Sequence, residues 1–404
     1  MNRREVKRAP ALRFKGFTND WEQRKLGDVL SKFDYGLNSA SSDYDGKNKY
    51  LRITDIDEQT HRFNLDNLTS PKVDLKNKDN YILHPGDIVF ARTGASVGKT
   101  YKYREDDGRV YFAGFLIRGR INKNFDTSFI FDTTLLPKYS NFVKITSIRS
   151  GQPGINSDEY KKYVINIPTI NEQKYISKLI TNLEELITLQ QRKLNDLSSM
   201  KSALLQNIFP NTQGIKKIKL STQEWNLQKI SSIFKERNQR NKNGMLLSVS
   251  ISKGVYPFSE NDRKDNSSND KSNYKEVKIN DLAYNSMRMW QGAVGVSKYN
   301  GIVSPAYTVI TPKKEENPNF YYYYFKNKRM LFNFRQHSQG LTSDTWNLKF
   351  PLFEKILIQV PSDKEEEQRI SSLFKQLDKS IDLNKIHIEK LTSIKQFLLQ
   401  NMFI

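Results

Sequence analysis

Between residues 176 and 208, apolar side chains recur at alternating steps of three and four: Ile176, Ile180, Leu183, Ile187, Leu194, Leu197, Leu204 and Ile208. The same rhythm returns in Ile370, Phe374, Leu377, Ile381, Ile388, Leu391, Leu398 and Met402. This spacing lays one apolar stripe along a helix and, sustained over several heptads, suits a coiled coil. The two runs superimpose at a constant offset of 194, with Leu204 falling on Leu398. Both end alike, in Leu204-Leu205-Gln206-Asn207-Ile208-Phe209 and in Leu398-Leu399-Gln400-Asn401-Met402-Phe403. A short apolar stretch closed by proline precedes each run, Val164 to Pro168 and Leu357 to Pro361. Thr169-x-x-Glu172 and Ser362-x-x-Glu365 then fit capping boxes, the hydroxyl taking an orphan N–H and the glutamate reaching back. Two helices of roughly 35 residues, about 50 Å long at ~1.5 Å per residue, are predicted. Gln190 and Asn384, then Lys201 and Lys395, occupy matching stripe positions. Polar residues in such a seam fix register at some cost in stability. In the alternative, Met200 and Ile394 carry the stripe and the lysines sit at its edge.

The self-similarity extends beyond the helices. Asp20-Trp21, Lys25-Leu26 and Val29-Leu30 resemble Glu224-Trp225, Lys229-Ile230 and Ile233-Phe234, which reads as a short amphipathic helix opening each copy. Pro85 to Phe90 matches Ile279 to Tyr284, a turn followed by an apolar strand. Gly94-Ala95-Ser96-Val97-Gly98 matches Gly292-Ala293-Val294-Gly295, and Gly108 to Ala113 matches Gly301 to Ala306. A period this long excludes a solenoid and means two tandem copies of a whole module, each a globular part followed by a long helix. Ser259 to Glu276, rich in Asn, Asp, Ser and Lys, reads as a mobile surface loop.

Composition adds a partner. The 404 residues carry a net charge of +21 despite 44 acids, a balance that points toward a polyanion. Cysteine is absent and the four histidines show no ligand spacing, so no thiolate or HxxxH metal site is foreseen. There is neither a signal-peptide pattern nor a run of ~18 apolar residues, and a cytoplasmic location is expected. Residues 1–12 read as a flexible basic arm.

Gly94 to Thr100 imitates a phosphate-binding loop, but only three residues separate its glycines, where four are required. A glycine-rich turn with its backbone close to something is the better reading. Just before and within it stand Arg92, Thr93, Ser96 and Lys99; the second copy offers Asn285, Arg288, Trp290 and Gln291. A further cluster precedes each closing strand, with Arg149 and Gln152 in one copy and Gln339 and Thr342 in the other. Arginine pairs bidentately with guanine, Asn or Gln with adenine, and apolar groups meet the thymine methyl. The flanking strands match while these loops differ, and a constant scaffold with varied tips is how recognition modules are built. Phe320-Tyr321-Tyr322-Tyr323-Tyr324-Phe325 reads as a packed helix with hydroxyls at its rim, in preference to a stacking platform for bases. No GxSxG, HExxH or GxGxxG pattern is present.

These features together resemble the specificity subunit of type I restriction–modification enzymes along nearly the whole chain. The resemblance rests on Pro168…Glu172-Gln173 and Pro361…Glu367-Gln368, the two Leu-Leu-Gln-Asn endings, Gly86 to Gly94, and Val303-Ser304-Pro305-Ala306-Tyr307. It implies an α+β fold: two globular α/β target-recognition domains separated by two long antiparallel helices, with an internal pseudo-twofold repeat. The domains are then 13–168 and 211–361, and the helices 169–210 and 362–404. It also implies double-stranded DNA as ligand, with the twelve loop residues named above at the interface. Two methylation subunits and two restriction/translocase subunits are the implied partners. S-adenosylmethionine, ATP and magnesium would bind to those partners, with no cofactor or metal in this chain, which would be non-catalytic. Two other classes stay open: a nuclease or NTPase with unrecognised motifs, and a basic coiled-coil scaffold without sequence preference.

Overall fold

The computed structural model describes residues 9–210, 218, 224–260, 270–313 and 316–404. The chain divides into two compact units, Met1–Gln191 with His387–Ile404, and Arg192–Ile386. Both long helices pass from one unit to the other.

In the first unit, Glu22–Lys25 pairs antiparallel with Val164–Ile167, closing the beginning of the copy onto its end. Four antiparallel strands form the central sheet, in the spatial order Leu30–Tyr35, Leu116–Ile121, Asp87–Ala91, Thr100–Lys102. The strand Asp87–Ala91 is buried throughout. Ile88 and Phe90 face a core with Phe129, Tyr160 and Ile176, whereas Val89 and Ala91 face a smaller one with Leu51 and Val110. Burial on both faces explains a continuous apolar run without polar alternation. The second unit repeats the plan. Trp225–Lys229 pairs with Leu357–Pro361, and Phe234–Glu236, Tyr307–Pro312, Leu282–Asn285 and Val294–Val296 form the matching sheet. A second sheet there contains Gly254–Pro257, Met245–Ser250, Gly301–Val303 and Lys275–Val277. Asn280 takes the left-handed conformation (φ 72°) that Gly86 (φ 94°) takes at the matching turn.

The long helices span Ile170–Asn207 and Lys364–Asn401, 38 residues each. Within the first unit, Ile176 and Ile180 share a core with Leu398, Met402 and Phe403, and Glu184 pairs with Lys395 at 2.8 Å, so the segments run antiparallel. Within the second, Leu197 and Leu204 pack with Ile370, Phe374 and Leu377, and Lys201 pairs with Asp378. The offset of 194 maps one ion pair onto the other, Glu184 onto Asp378 and Lys201 onto Lys395. Met200 and Ile394 are half exposed, so the lysines are the seam residues. Asn384 is likewise buried.

Several expectations are corrected. Each copy opens with a strand, one helical turn and another strand, in place of an amphipathic helix: Leu26–Val29 is a 3-10 turn and Ile230–Ile233 a single α-turn. The first capping box forms by half. Thr169 Oγ1 accepts the Glu172 N–H at 3.5 Å, but the Glu172 carboxylate takes Arg13 Nε at 2.6 Å and Nη2 at 2.8 Å. At the second helix Asp363 is the cap, its Oδ1 accepting the Glu365 N–H at 2.8 Å, while Ser362 donates to the Glu224 carbonyl. Within the loop expected from Ser259 to Glu276, residues 261–269 lie outside the described residues and Lys275 and Glu276 belong to a strand. Residues 1–8 of the basic arm also lie outside them, whereas Leu12 N–H is tied to the Asn401 carbonyl at 2.8 Å. The aromatic run is a packed helix, Pro318–Phe325, whose Tyr323 hydroxyl donates to Asp378 at 2.8 Å.

Candidate nucleic-acid interface

In each unit the central strand ends at the first loop cluster, and the second cluster folds against it. In the first unit Thr93 bridges Gly154, and the Gly94 N–H donates to the Pro153 carbonyl at 2.9 Å. Gly94 has φ 75°, and a Cβ there would lie 3.0 Å from Gln152 Nε2. Gly98 has φ 88°, and its Cβ would overlap Val143 at 2.5 Å, so glycine is required on both counts. The turn is therefore packed against α-helical and loop neighbours, and Thr100 directs its hydroxyl inward to Thr134 Oγ1 at 2.8 Å. A phosphate-loop threonine would instead face a metal.

The side chains at this edge fall into two groups. Arg149 is engaged: its fork reaches both Glu159 oxygens at 2.6 Å and the carbonyls of Thr146 and Ile148 at 2.9 and 2.8 Å. As placed it clamps the 146–159 loop, and a base contact would require breaking that clamp. Arg92 has its guanidinium 4.9 Å from the Tyr35 ring centroid. Thr93, Ser96 and Lys99 are half-buried along the turn, and Gln152 is exposed.

In the second unit Asn285 closes the strand and its Oδ1 accepts the Met287 N–H at 3.0 Å. Arg288 lies 3.9 Å from Asp344, and Trp290 stands edge-on to Trp346 at 5.2 Å, so this copy's two clusters also meet. Leu348 N–H reaches the Ser286 carbonyl at 2.9 Å. Gln339 pairs with Asn347 through two backbone hydrogen bonds of 3.0 and 2.7 Å. Between them the loop carries Thr342, bonded to Thr345, and a fully exposed Leu341. Gln291 is half-buried on the short turn after Arg288. The structure thus brings all six expected residues of each copy to one edge.

Sequence reasoning overlooked Tyr35, Phe115 and Trp346 at these edges. A signal was present: Tyr35-Gly36 and Gly114-Phe115 put an aromatic beside glycine at strand ends, and a Cβ on Gly36 would strike the Ala113 carbonyl at 2.1 Å. It also overlooked a buried polar cluster beneath the first unit's helices. There Asp132, wholly buried, has its carboxyl pushed well above the usual range by burial and by Glu184, against Lys102 and Lys395. Burial likewise works to raise Glu184, but Lys395, Lys102 and Arg104 outweigh it and lower the value. Among the described residues no group of three or more acidic or histidine side chains is placed to hold a metal. Nor is any described helix long and apolar enough to cross a membrane.

A repeated sheet, with its conserved interior and its divergent paired loops at one edge, defines a tandem recognition module. The chain belongs to the family of type I restriction modification DNA specificity domains, whose model matches residues 18–199 and 222–393. It is 26% identical over 202 residues to a putative type I restriction enzyme MjaX specificity subunit of Methanocaldococcus jannaschii. It is 22% identical over 199 residues to the MjaVIII specificity subunit of the same organism. Those stretches cover 48% of this chain and 46% and 43% of the two relatives, so the chain spans under half the length of the curated relatives it matches. Among solved structures, the S subunit of a type I restriction–modification system from M. genitalium shares the fold, with a TM-score of 0.64 at 14% identity. That likeness covers 98% of this chain and 99% of the other.

Proposed function

We propose that this chain is the DNA-recognition subunit of a type I restriction–modification complex, reading a bipartite double-stranded site with one half-site per unit. The observation that carries this reading is the meeting of two divergent loops at one sheet edge in both units, on a chain of net charge +21. Lysines and arginines on phosphates supply most of the affinity, and the loop side chains choose the sequence. The paired helices set the unread spacer between half-sites. Two methylation subunits dock on the helices and nearby surfaces, and two restriction/translocase subunits complete the assembly in the cytoplasm. Chemistry belongs to those subunits, with their S-adenosylmethionine, ATP and magnesium; this chain supplies the address.

The test is to map methylated adenines in host DNA with and without the gene. Loss of one bipartite motif supports the reading. An unchanged methylation map, or a purified chain that binds all duplexes alike or cleaves DNA alone, refutes it. Specific binding should also weaken steeply with salt.

A further inference from the structure

Arg92 differs from Arg149 in the neighbouring loop and from Arg118 and Arg120 in the adjacent strand. Arg149 is clamped by Glu159, Arg118 is bonded to Asp34 at 2.6 Å and the Ile82 carbonyl at 3.1 Å, and Arg120 is bidentate on Asp87. Among the described residues no hydrogen bond or ion pair engages the Arg92 side chain; only the Tyr35 ring lies against it. Its planar fork therefore keeps all five donors, with its carbon 4.9 Å from the Tyr35 ring centroid. The Tyr35 hydroxyl donates to Ser157 Oγ and accepts the Ser157 N–H, both at 3.3 Å, while it is the ring itself that lies against Arg92. On the other side, the Arg92 N–H donates to the Phe115 carbonyl at 3.0 Å. Phe115 is 63% exposed although Leu116 and Ile117, which follow it, are fully buried. A fork without a protein partner, held by one aromatic and flanked by a second that is exposed, presents donors and an apolar ring side by side, a pairing suited to a base step.

Resting on the reading above, we propose that Arg92 takes the N7/O6 edge of a guanine in the major groove and that Phe115 meets the 5-methyl group of an adjacent thymine. Tyr35 is the positioning residue, holding the fork in the plane the guanine requires. The chemistry matches the groove pattern: guanine alone offers two acceptors spaced for a fork, and thymine alone offers a methyl group.

The experiment uses the full chain, purified with the subunits that accompany it in its host, and duplexes bearing the motif mapped from host DNA. At each position thymine is replaced by deoxyuridine, which lacks only the methyl group, or guanine by 7-deazaguanine, which lacks only N7. One deoxyuridine position should cost the wild type about fourfold in affinity, the worth of one apolar carbon, and cost Phe115→Ala nothing further. A neighbouring 7-deazaguanine should cost the wild type and Tyr35→Phe about tenfold and Arg92→Ala nothing. Tyr35→Ala should lose about two- to fivefold at that guanine alone, with Tyr35→Phe restoring it. The inference is overturned if the deoxyuridine loss persists in Phe115→Ala, or if Tyr35→Ala weakens all positions equally. A wild-type complex with no preferred duplex would instead refute the proposed function. Unchanged affinity for duplexes altered only in the other half-site checks that each variant is folded and assembled.

Discussion

The repeated helix endings have a structural explanation that can be tested directly. Phe209, at the end of the first long helix, is 1% exposed in the second unit's core, stacked on Tyr324 at 4.7 Å and 5°. Phe403, at the end of the second long helix, is 7% exposed in the first unit's core, stacked on Phe129 at 5.1 Å and edge-on to Trp21 at 6.4 Å. Each long helix therefore starts against the sheet of its own copy and delivers its final aromatic to the unit formed by the other. Truncating a buried phenylalanine to alanine costs about 3–5 kcal/mol through lost transfer energy and the cavity left behind. With a urea m-value of about 2–3 kcal/mol per M, the unfolding midpoint should fall by about 1–2.5 M. Of the four tryptophans, Trp21 alone lies in the first unit, so replacing Trp225, Trp290 and Trp346 with phenylalanine leaves a probe of that unit only. In this background Phe403→Ala should shift the Trp21 transition by the stated amount. A chain retaining only Trp225, whose ring is 6.2 Å from Phe209, should respond in the same way to Phe209→Ala. If Phe403→Ala leaves the Trp21 midpoint where it was, the C-terminal aromatic does not build the first unit's core and the exchange of helix ends is wrong.

Three further outcomes are expected. Asp87 is fully buried and accepts Arg120 through both oxygens at 2.7 and 2.9 Å, so Asp87→Ala should destabilise the first unit by about 3–5 kcal/mol, read from the same Trp21 transition. Removing the heptad Lys178 to Glu184 should shorten the preferred spacer or abolish assembly with the methylation subunits; an unchanged methylated motif would show that the helices are not a ruler. Asp132 has a folded pKa raised above its unfolded value, so its contribution is complete at acid pH and is lost as pH climbs from the unfolded carboxylate range through the raised value. Asp132→Asn should therefore stabilise the first unit at neutral pH and flatten its pH dependence, measured as urea midpoints from pH 5 to pH 8.

Periodicity exposed the elements whose burial is one-sided and long. The stripe from Ile176 to Ile208 and its repeat gave both helices, because a coiled seam leaves its spacing in the sequence. Pro85 to Phe90 read as a turn and an apolar strand for a different reason: burial on both faces leaves a run without polar alternation. Short elements failed where tertiary pairing decides. Lys25-Leu26 and Val29-Leu30 have helical spacing, yet the Leu26 N–H bonds the Tyr163 carbonyl at 2.7 Å, and pairing with Val164–Ile167 holds the preceding residues extended. The roles of Glu172 and Arg149 were equally hidden. Arg13 is 159 residues from the carboxylate it takes, and Glu159 claims a guanidinium that local sequence offers to DNA. The loop clusters were visible because two copies could be compared; Tyr35 and Phe115 left only the glycines beside them as a signal, and their relevance emerges where three strand ends converge.

The same central strand has a pinned end and a loop end in both units. At its far end a buried carboxylate is pinned: Asp87 accepts Arg120 and the His84 N–H at 2.9 Å, and Asp281 accepts Arg237 Nε and the Lys278 N–H, both at 2.7 Å. The arginines come from different places, Arg120 within the adjacent strand Leu116–Ile121 and Arg237 just after Phe234–Glu236. It is the buried carboxylate at the turn that both copies keep. The near end of the strand, about 13 Å away at ~3.3 Å per residue, carries Arg92 in one unit and Asn285 to Arg288 in the other. Interactions that distant, with no shared partner, contribute almost independently to stability. Loop substitutions that spare the glycines of the turn and the Arg149 clamp are then nearly free of the fold so long as the closing bridge survives, Thr93 to Gly154 in one unit and Ser286 to Leu348 in the other. A scaffold pinned at one end of a strand and carrying its variable loops at the other lets two copies keep one architecture while their tips diverge.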